Sequence, residues 1–115
     1  MKPHLHANSS VRKWGGRRED YQPIHDFFDS TKAALPDMRH RAVLHNAFGI
    51  FLAERVFGTL ITNSDGREVS VRDIGEQHVL EDLGTIPTLE ASFAGMRLTP
   101  LLGAQRKTRT IKMVD

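Results

Sequence analysis

No cysteine occurs among the 115 residues, so disulfides, thiolate metal sites and cysteine nucleophiles are excluded. Aromatic residues are also few, at 7%, with one tryptophan and one tyrosine. Trp14 alone stands near a basic cluster, which is thin for a surface that stacks single-stranded nucleic acid. Long apolar runs are missing. The longest, Phe48 to Ala53 with one glycine, falls far short of the ~18 to 20 residues that span a bilayer. The opening Met-Lys-Pro-His-Leu-His is charged but leads into no apolar stretch, so no secretory signal is expected and a cytoplasmic protein is. A glycine-rich phosphate loop, a nucleophile elbow and internal repeats are likewise absent.

What the chain does have is histidine, six in all. Imidazole both titrates near neutrality and binds transition metals, so several histidines around one core invite a metal or acid/base site. The length suits one domain with a single core. Charge is segregated: Lys2, Arg12, Lys13, Arg17 and Arg18 make the first 18 residues basic, and Arg97, Arg106, Lys107, Arg109 and Lys112 do the same for the end. Between them, residues 19–96 hold thirteen acids against six basic residues, a formal −7. The expected organisation is a globular domain over residues 1–96 and a basic tail over 97–115.

Patterning predicts a small α+β domain, mainly helical, with a buried central helix and one β-hairpin. A first helix over residues 3–14 begins at Pro3 and stops at Gly15-Gly16. A second, from Pro23 to Ala34, sets His25 beside Asp29 at helical spacing. The third and strongest, capped by Asp37 and spanning residues 38–57, is apolar nearly all round from Ala47 to Ala53 and is expected to be buried on more than one side. On one continuous helix His40 and His45 differ by about 140°, so they do not form the tight i, i+4 pair of a zinc helix. Thr59–Thr62 and Arg67–Arg72 flank the turn Asn63-Ser64-Asp65-Gly66 as a hairpin. A helix from the Asp73 cap to Leu83 carries His78 one turn before Asp82, and a short helix follows Ile86-Pro87-Thr88. In the tail, the stretch Thr108 to Val114 reads as a possible edge strand.

Tyr21…Ile24-His25-Asp26, Arg39-His40-Arg41-Ala42…His45, Gly49-Ile50-Phe51…Glu54, Phe57-Gly58, Asn63-Ser64-Asp65-Gly66 and Ile74-Gly75-Glu76-Gln77-His78-Val79…Glu81-Asp82-Leu83-Gly84-Thr85-Ile86-Pro87 resemble a family of small bacterial and bacteriophage proteins, a domain of unknown function. The resemblance spans roughly residues 4–90. It implies a bacterial or phage cytoplasmic protein whose signature includes the four body histidines, and it implies no reaction. Members of that family end soon after the Ile-Pro segment, so the basic tail is expected to lie outside the family pattern.

The candidate metal ligands are His25, His40, His45 and His78, with Glu54, Glu76 or Asp82 as carboxylate. The donor types suit a divalent metal, zinc first and manganese, nickel or iron after it. A metal-free alternative makes His40 or His45 a general base, oriented by Glu54 or Asp29, with Arg39 or Arg41 holding an anion. The non-enzymatic alternative is an interaction protein. It would cover a host protein, or bind nucleic acid through Arg12, Lys13, Arg17, Arg18, Arg106, Lys107, Arg109 and Lys112. The turn at residues 63–66 lacks the further oxygen ligands of a calcium loop.

Overall fold

A computed structural model of the chain describes residues 1–94; the basic tail, with Arg106, Lys107, Arg109, Lys112 and the possible edge strand, lies outside the described residues. Two antiparallel helices open the domain. Helix α1 runs Pro3–Trp14 as expected, ending at Gly15 (φ 82°). Helix α2 runs Arg18–Asp29, five residues ahead of its expected start. Asp20 explains the shift: its carboxylate accepts from the Arg17 amide at 2.7 Å, closing the first turn there. Pro23 consequently lies inside α2 rather than at its start. The Tyr21 hydroxyl donates to the Gly15 carbonyl at 2.8 Å and fixes the turn between the helices. Residues Ser30–Ala33 tighten into a 3-10 turn, so the second helix stops short of Ala34.

The predicted single helix over residues 38–57 is broken. Asp37 caps a 3-10 turn, Met38–His40, which leads into the short α3, Arg41–Leu44. The chain then bends at His45 (ψ 61°) and resumes as α4, Ala47–Phe57. Asn46 causes the break. In extended conformation its Oδ1 accepts from the Gly49 amide at 2.9 Å and its Nδ2 donates to the Ala42 and Val43 carbonyls at 3.0 and 3.1 Å. One side chain thus ends one helix and begins the next. Gly49 permits the bend, because a Cβ there would stand 1.8 Å from the Leu44 carbonyl oxygen.

Helix α4 buries Gly49, Ile50 and Ala53. Its other face is open, with Phe51 52% and Val56 61% exposed, so the all-round apolar pattern does not translate into burial on more than one side. Strands β1 (Leu60–Thr62) and β2 (Glu68–Ser70) pair antiparallel with Ile61 opposite Val69. Asn63 builds their turn, its Oδ1 accepting from the Asp65 and Arg67 amides at 3.0 and 2.9 Å. Ser70, not Asp73, caps the helix that follows, α5 (Val71–Leu83), by accepting from the Asp73 amide. Thr88 caps α6, Leu89–Phe93. Tyr21, Ile24, Phe28, Ile50, Ala53, Val71, Ile74 and Val79 form the apolar core. Gly75 lets Phe28 and Ile50 rest directly on α5. Beside this apolar core lies a polar one. His6, Ser10, His25, His45 and His78 are all fully buried where α1, α2, α3 and α5 converge.

Candidate metal centre

Four donors meet in the polar core. Asp29 is the last residue of α2, His45 stands at the bend after α3, and His78 and Asp82 lie one turn apart on α5. Asp29 Oδ1 is 3.5 Å from His45 Nε2 and 3.6 Å from His78 Nε2. Asp82 Oδ2 is 2.8 Å from His45 Nε2 and 3.3 Å from His78 Nε2. All four ligand atoms lie within 4.8 Å of one another. A tetrahedral zinc site with bonds of about 2.05 Å places its ligand atoms about 3.3 Å apart. The separations found here scatter around that edge.

The two carboxylates are almost wholly withdrawn from water, their side chains 7% and 1% exposed. Burial alone would raise the pKa of each. The imidazoles of His78 and His45, with the charge of Lys32, outweigh it at Asp29 and hold that carboxyl below its ordinary range. His45, His6 and His78 do the same at Asp82, far more strongly. Asp82 divides its two oxygens. Oδ1 takes the Met1 ammonium at 3.0 Å, His6 Nε2 at 3.2 Å and Arg41 Nη2 at 3.6 Å, which leaves Oδ2 facing the other three donors. Two anions in a dry site need positive charge beside them.

Hydrogen positions around His78 follow from its neighbours. The Gln77 amide places Nε2 3.0 Å from the His6 carbonyl and 2.9 Å from Glu81 Oε1, two acceptors that fix which end is nitrogen. Its Oε1 therefore accepts from the Ser10 hydroxyl at 2.7 Å. With that hydrogen committed, His25 Nε2, 2.8 Å from Ser10 Oγ, must be the donor. Burial, together with the charges of His78 and His6, pushes the His25 pKa down to about 2, so the ring is neutral and its Nδ1 bare. His78 Nδ1, 3.0 Å away, then donates to it. The remaining nitrogen, His78 Nε2, is buried, has no hydrogen-bond partner and faces both carboxylates. Although burial works against a charged ring, Asp29 and Asp82 raise the His78 pKa above its ordinary value. The site calls for a cation at Nε2, either a proton or a metal.

Of the residues expected from sequence, His45 and His78 meet with Asp82, and His40 stands at the margin, its Nε2 3.5 Å from Asp29 Oδ1. His40 and His45 nevertheless both reach the same Asp29 oxygen, the segment that joins them being a 3-10 turn and the short α3 rather than the expected continuous helix. His25 turns away from Asp29 toward Ser10 and His78. The three imidazoles of His6, His25 and His78 also place nitrogens within 4.8 Å of one another. Both His6 nitrogens, however, face acids, Glu81 at 2.7 Å and Asp82 at 3.2 Å. Glu54 and Glu76 line a separate groove with Arg72, Phe51 and Ile86. Arg12, Lys13, Arg17 and Arg18 are exposed around the turn between α1 and α2.

Sequence reading missed His6 and did not place Asp29 in the metal set. A signal existed for both. His25/Asp29 and His78/Asp82 repeat the same histidine-to-aspartate spacing of four, and His6, Ser9 and Ser10 mark a small polar face of α1 at spacings of three and four.

A family model described as Domain of unknown function (DUF6915) matches residues 1–102. The match runs past Ile86-Pro87 and into the segment expected to lie outside the family pattern. No curated protein and no solved structure matches the chain.

Proposed function

The chain belongs to the DUF6915 family, a domain of unknown function, and on that premise we propose that it binds one divalent metal ion through Asp29, His45, His78 and Asp82. The observation that carries this reading is the buried His78 Nε2, without a hydrogen-bond partner and facing two carboxylates. A proton on that nitrogen would answer part of the charge but would sit 3.3 and 3.6 Å from its acceptors, too long for good hydrogen bonds. A metal answers all four donors at once. Two imidazoles and two carboxylates form a borderline N/O set, and the near-tetrahedral spacing favours zinc over ions that require six oxygens.

The chain's own groups would orient the ligands. His25 fixes the His78 tautomer, Ser10 and Gln77 fix His25, and His6 with Arg41 holds the outer oxygen of Asp82. A bound zinc ion supplies Lewis acidity and charge to whatever reaches it.

Elemental analysis of untagged protein, isolated without chelator and again after reconstitution with zinc, manganese or cobalt, tests the assignment. One equivalent of ion is expected in the native protein and in Glu54→Gln, and a loss in His78→Ala and Asp82→Asn that remain folded by circular dichroism. Folded native protein that takes up no ion after reconstitution overturns the reading and leaves His78 as a buried imidazolium.

A further inference from the structure

The centre is sealed on three sides. His45 and His78 are fully buried and the Asp82 side chain is 1% exposed, whereas Asp29, at 7%, forms part of the wall of a surface cleft of about 410 Å³. The same cleft is lined by His40, Arg41, Lys2, Lys32 and Asp37. Among these charged groups the acids are already occupied. Asp29 faces the histidines, and Asp37 is held by Arg39 Nε at 2.9 and 3.0 Å. The cations are only partly so. Lys2 and Lys32 are exposed, and Arg41, whose Nη2 reaches toward Asp82, has an Nε with no acceptor. Lys32 stands close enough to Asp29 for its charge to lower that carboxyl. Two other clefts lack this combination. The groove at Glu54 holds two acids with one arginine, and the cleft at Met38 and Leu83 carries no acid and no metal donor.

We propose that this cleft binds a phosphate-class oxyanion against the metal, with Lys2, Lys32 and Arg41 as its cationic walls. The inference rests on the metal reading. A tetrahedral oxyanion matches the walls because an arginine fork and flexible ammonium groups recognise phosphate oxygens by charge and hydrogen bond. It enters from the Asp29 side, where the only partly open ligand lies, and a zinc ion accepts it by expanding to five-coordination. His40 Nδ1 already contacts the Asp37 carbonyl at 2.8 Å, so its Nε2 points inward, 3.5 Å from Asp29 Oδ1.

Titration of inorganic phosphate into the full chain tests this, with the protein loaded with zinc for calorimetry and with cobalt for its visible spectrum. Saturable phosphate binding is expected, with a change in the cobalt spectrum and weakening by added salt. In Lys2→Gln/Lys32→Gln, metal content and melting temperature should hold while phosphate affinity falls about five- to tenfold. Sulfate should compete for the site. Metal-loaded protein that ignores millimolar phosphate, or a double variant that binds it as tightly as the native chain, overturns this inference and leaves the metal centre standing. Phosphate binding of equal strength to zinc-free protein overturns the metal contact. A native chain that carries no ion overturns the metal reading itself, a result recorded by elemental analysis before any phosphate is added.

Discussion

His25 and His78 meet through their Nδ1 atoms at 3.0 Å, each ring using its other nitrogen elsewhere, His25 on Ser10 and His78 toward Asp29 and Asp82. The contact works in one direction only, with His78 donating, and so turns His78 Nε2 to the carboxylates as the nitrogen that takes the cation. Leucine at position 25 removes the acceptor, while glutamine offers an amide oxygen in its place. Metal affinity measured by chelator competition should fall about 10- to 100-fold in His25→Leu. His25→Gln should recover much of it. Equal affinity in the native and leucine proteins would show that the His25 contact does not orient the ligand.

The same burial makes His25 a liability in acid. Its folded pKa of about 2 lies below its ordinary 6.5, so between those values the unfolded chain binds a proton that the native state refuses. Stability from this group is therefore complete above pH 6.5 and drains away as pH falls, with a slope approaching about 1.4 kcal/mol per pH unit. His45, also lowered chiefly by burial, acts in the same direction. His78 acts in the opposite one, because its raised pKa gives stability that is present in acid and lost as pH rises. Denaturant unfolding of chelated protein between pH 7.5 and 5 isolates His25. The native chain should lose stability more steeply than His25→Gln, and parallel curves would contradict a neutral buried ring.

Much of the fold was legible because it rests on local chemistry. Pro3 and Gly15 bound α1, and Asn63 through Gly66 make the hairpin turn. Where reading failed, a side chain competed with backbone. Asn46 looks like one polar residue inside an apolar helical pattern, yet its carboxamide serves both helix ends and breaks the spine. His45 ends the short helix just before that break and shares one Asp29 oxygen with His40. The histidines were visible as donors; their meeting with Asp29 and Asp82 depends on α2 and α5 packing around Gly75, a contact 53 residues apart at His25 and His78 that no local pattern encodes.

Removing the ion should cost stability by mass action. An ion at a hundred times its dissociation constant adds about 2.7 kcal/mol to a native state that alone binds it. For a domain of this size that corresponds to a melting shift on the order of 10 °C. Thermal scans with and without chelator should show this fall in the native chain and in Glu54→Gln. Asp29→Asn and Asp82→Asn should melt at the same temperature either way. A chelator response that survives in both aspartate variants would mean that the ion sits elsewhere.

Gly49 and Gly75 provide a test of how far the centre depends on the bend. A Cβ on Gly49 would meet the Leu44 carbonyl at 1.8 Å, and Leu44 cannot yield without moving the adjacent His45, which ends α3. A Cβ on Gly75 would meet only the tip of the Phe28 ring, at 2.9 Å, and the Ile50 side chain beyond it. Gly49→Ala should therefore destabilise the fold by about 3 kcal/mol, and Gly75→Ala by about 1 to 2 kcal/mol. The two should differ more sharply in metal affinity. At a temperature where both remain folded, Gly49→Ala should bind the ion at least about tenfold more weakly, because its displaced ligand costs more than 1.4 kcal/mol. Gly75→Ala should bind within a few-fold of the native chain. If the order of the two affinities were reversed, packing of α5 on Phe28 would position the donors, and the turn at Asn46 would not.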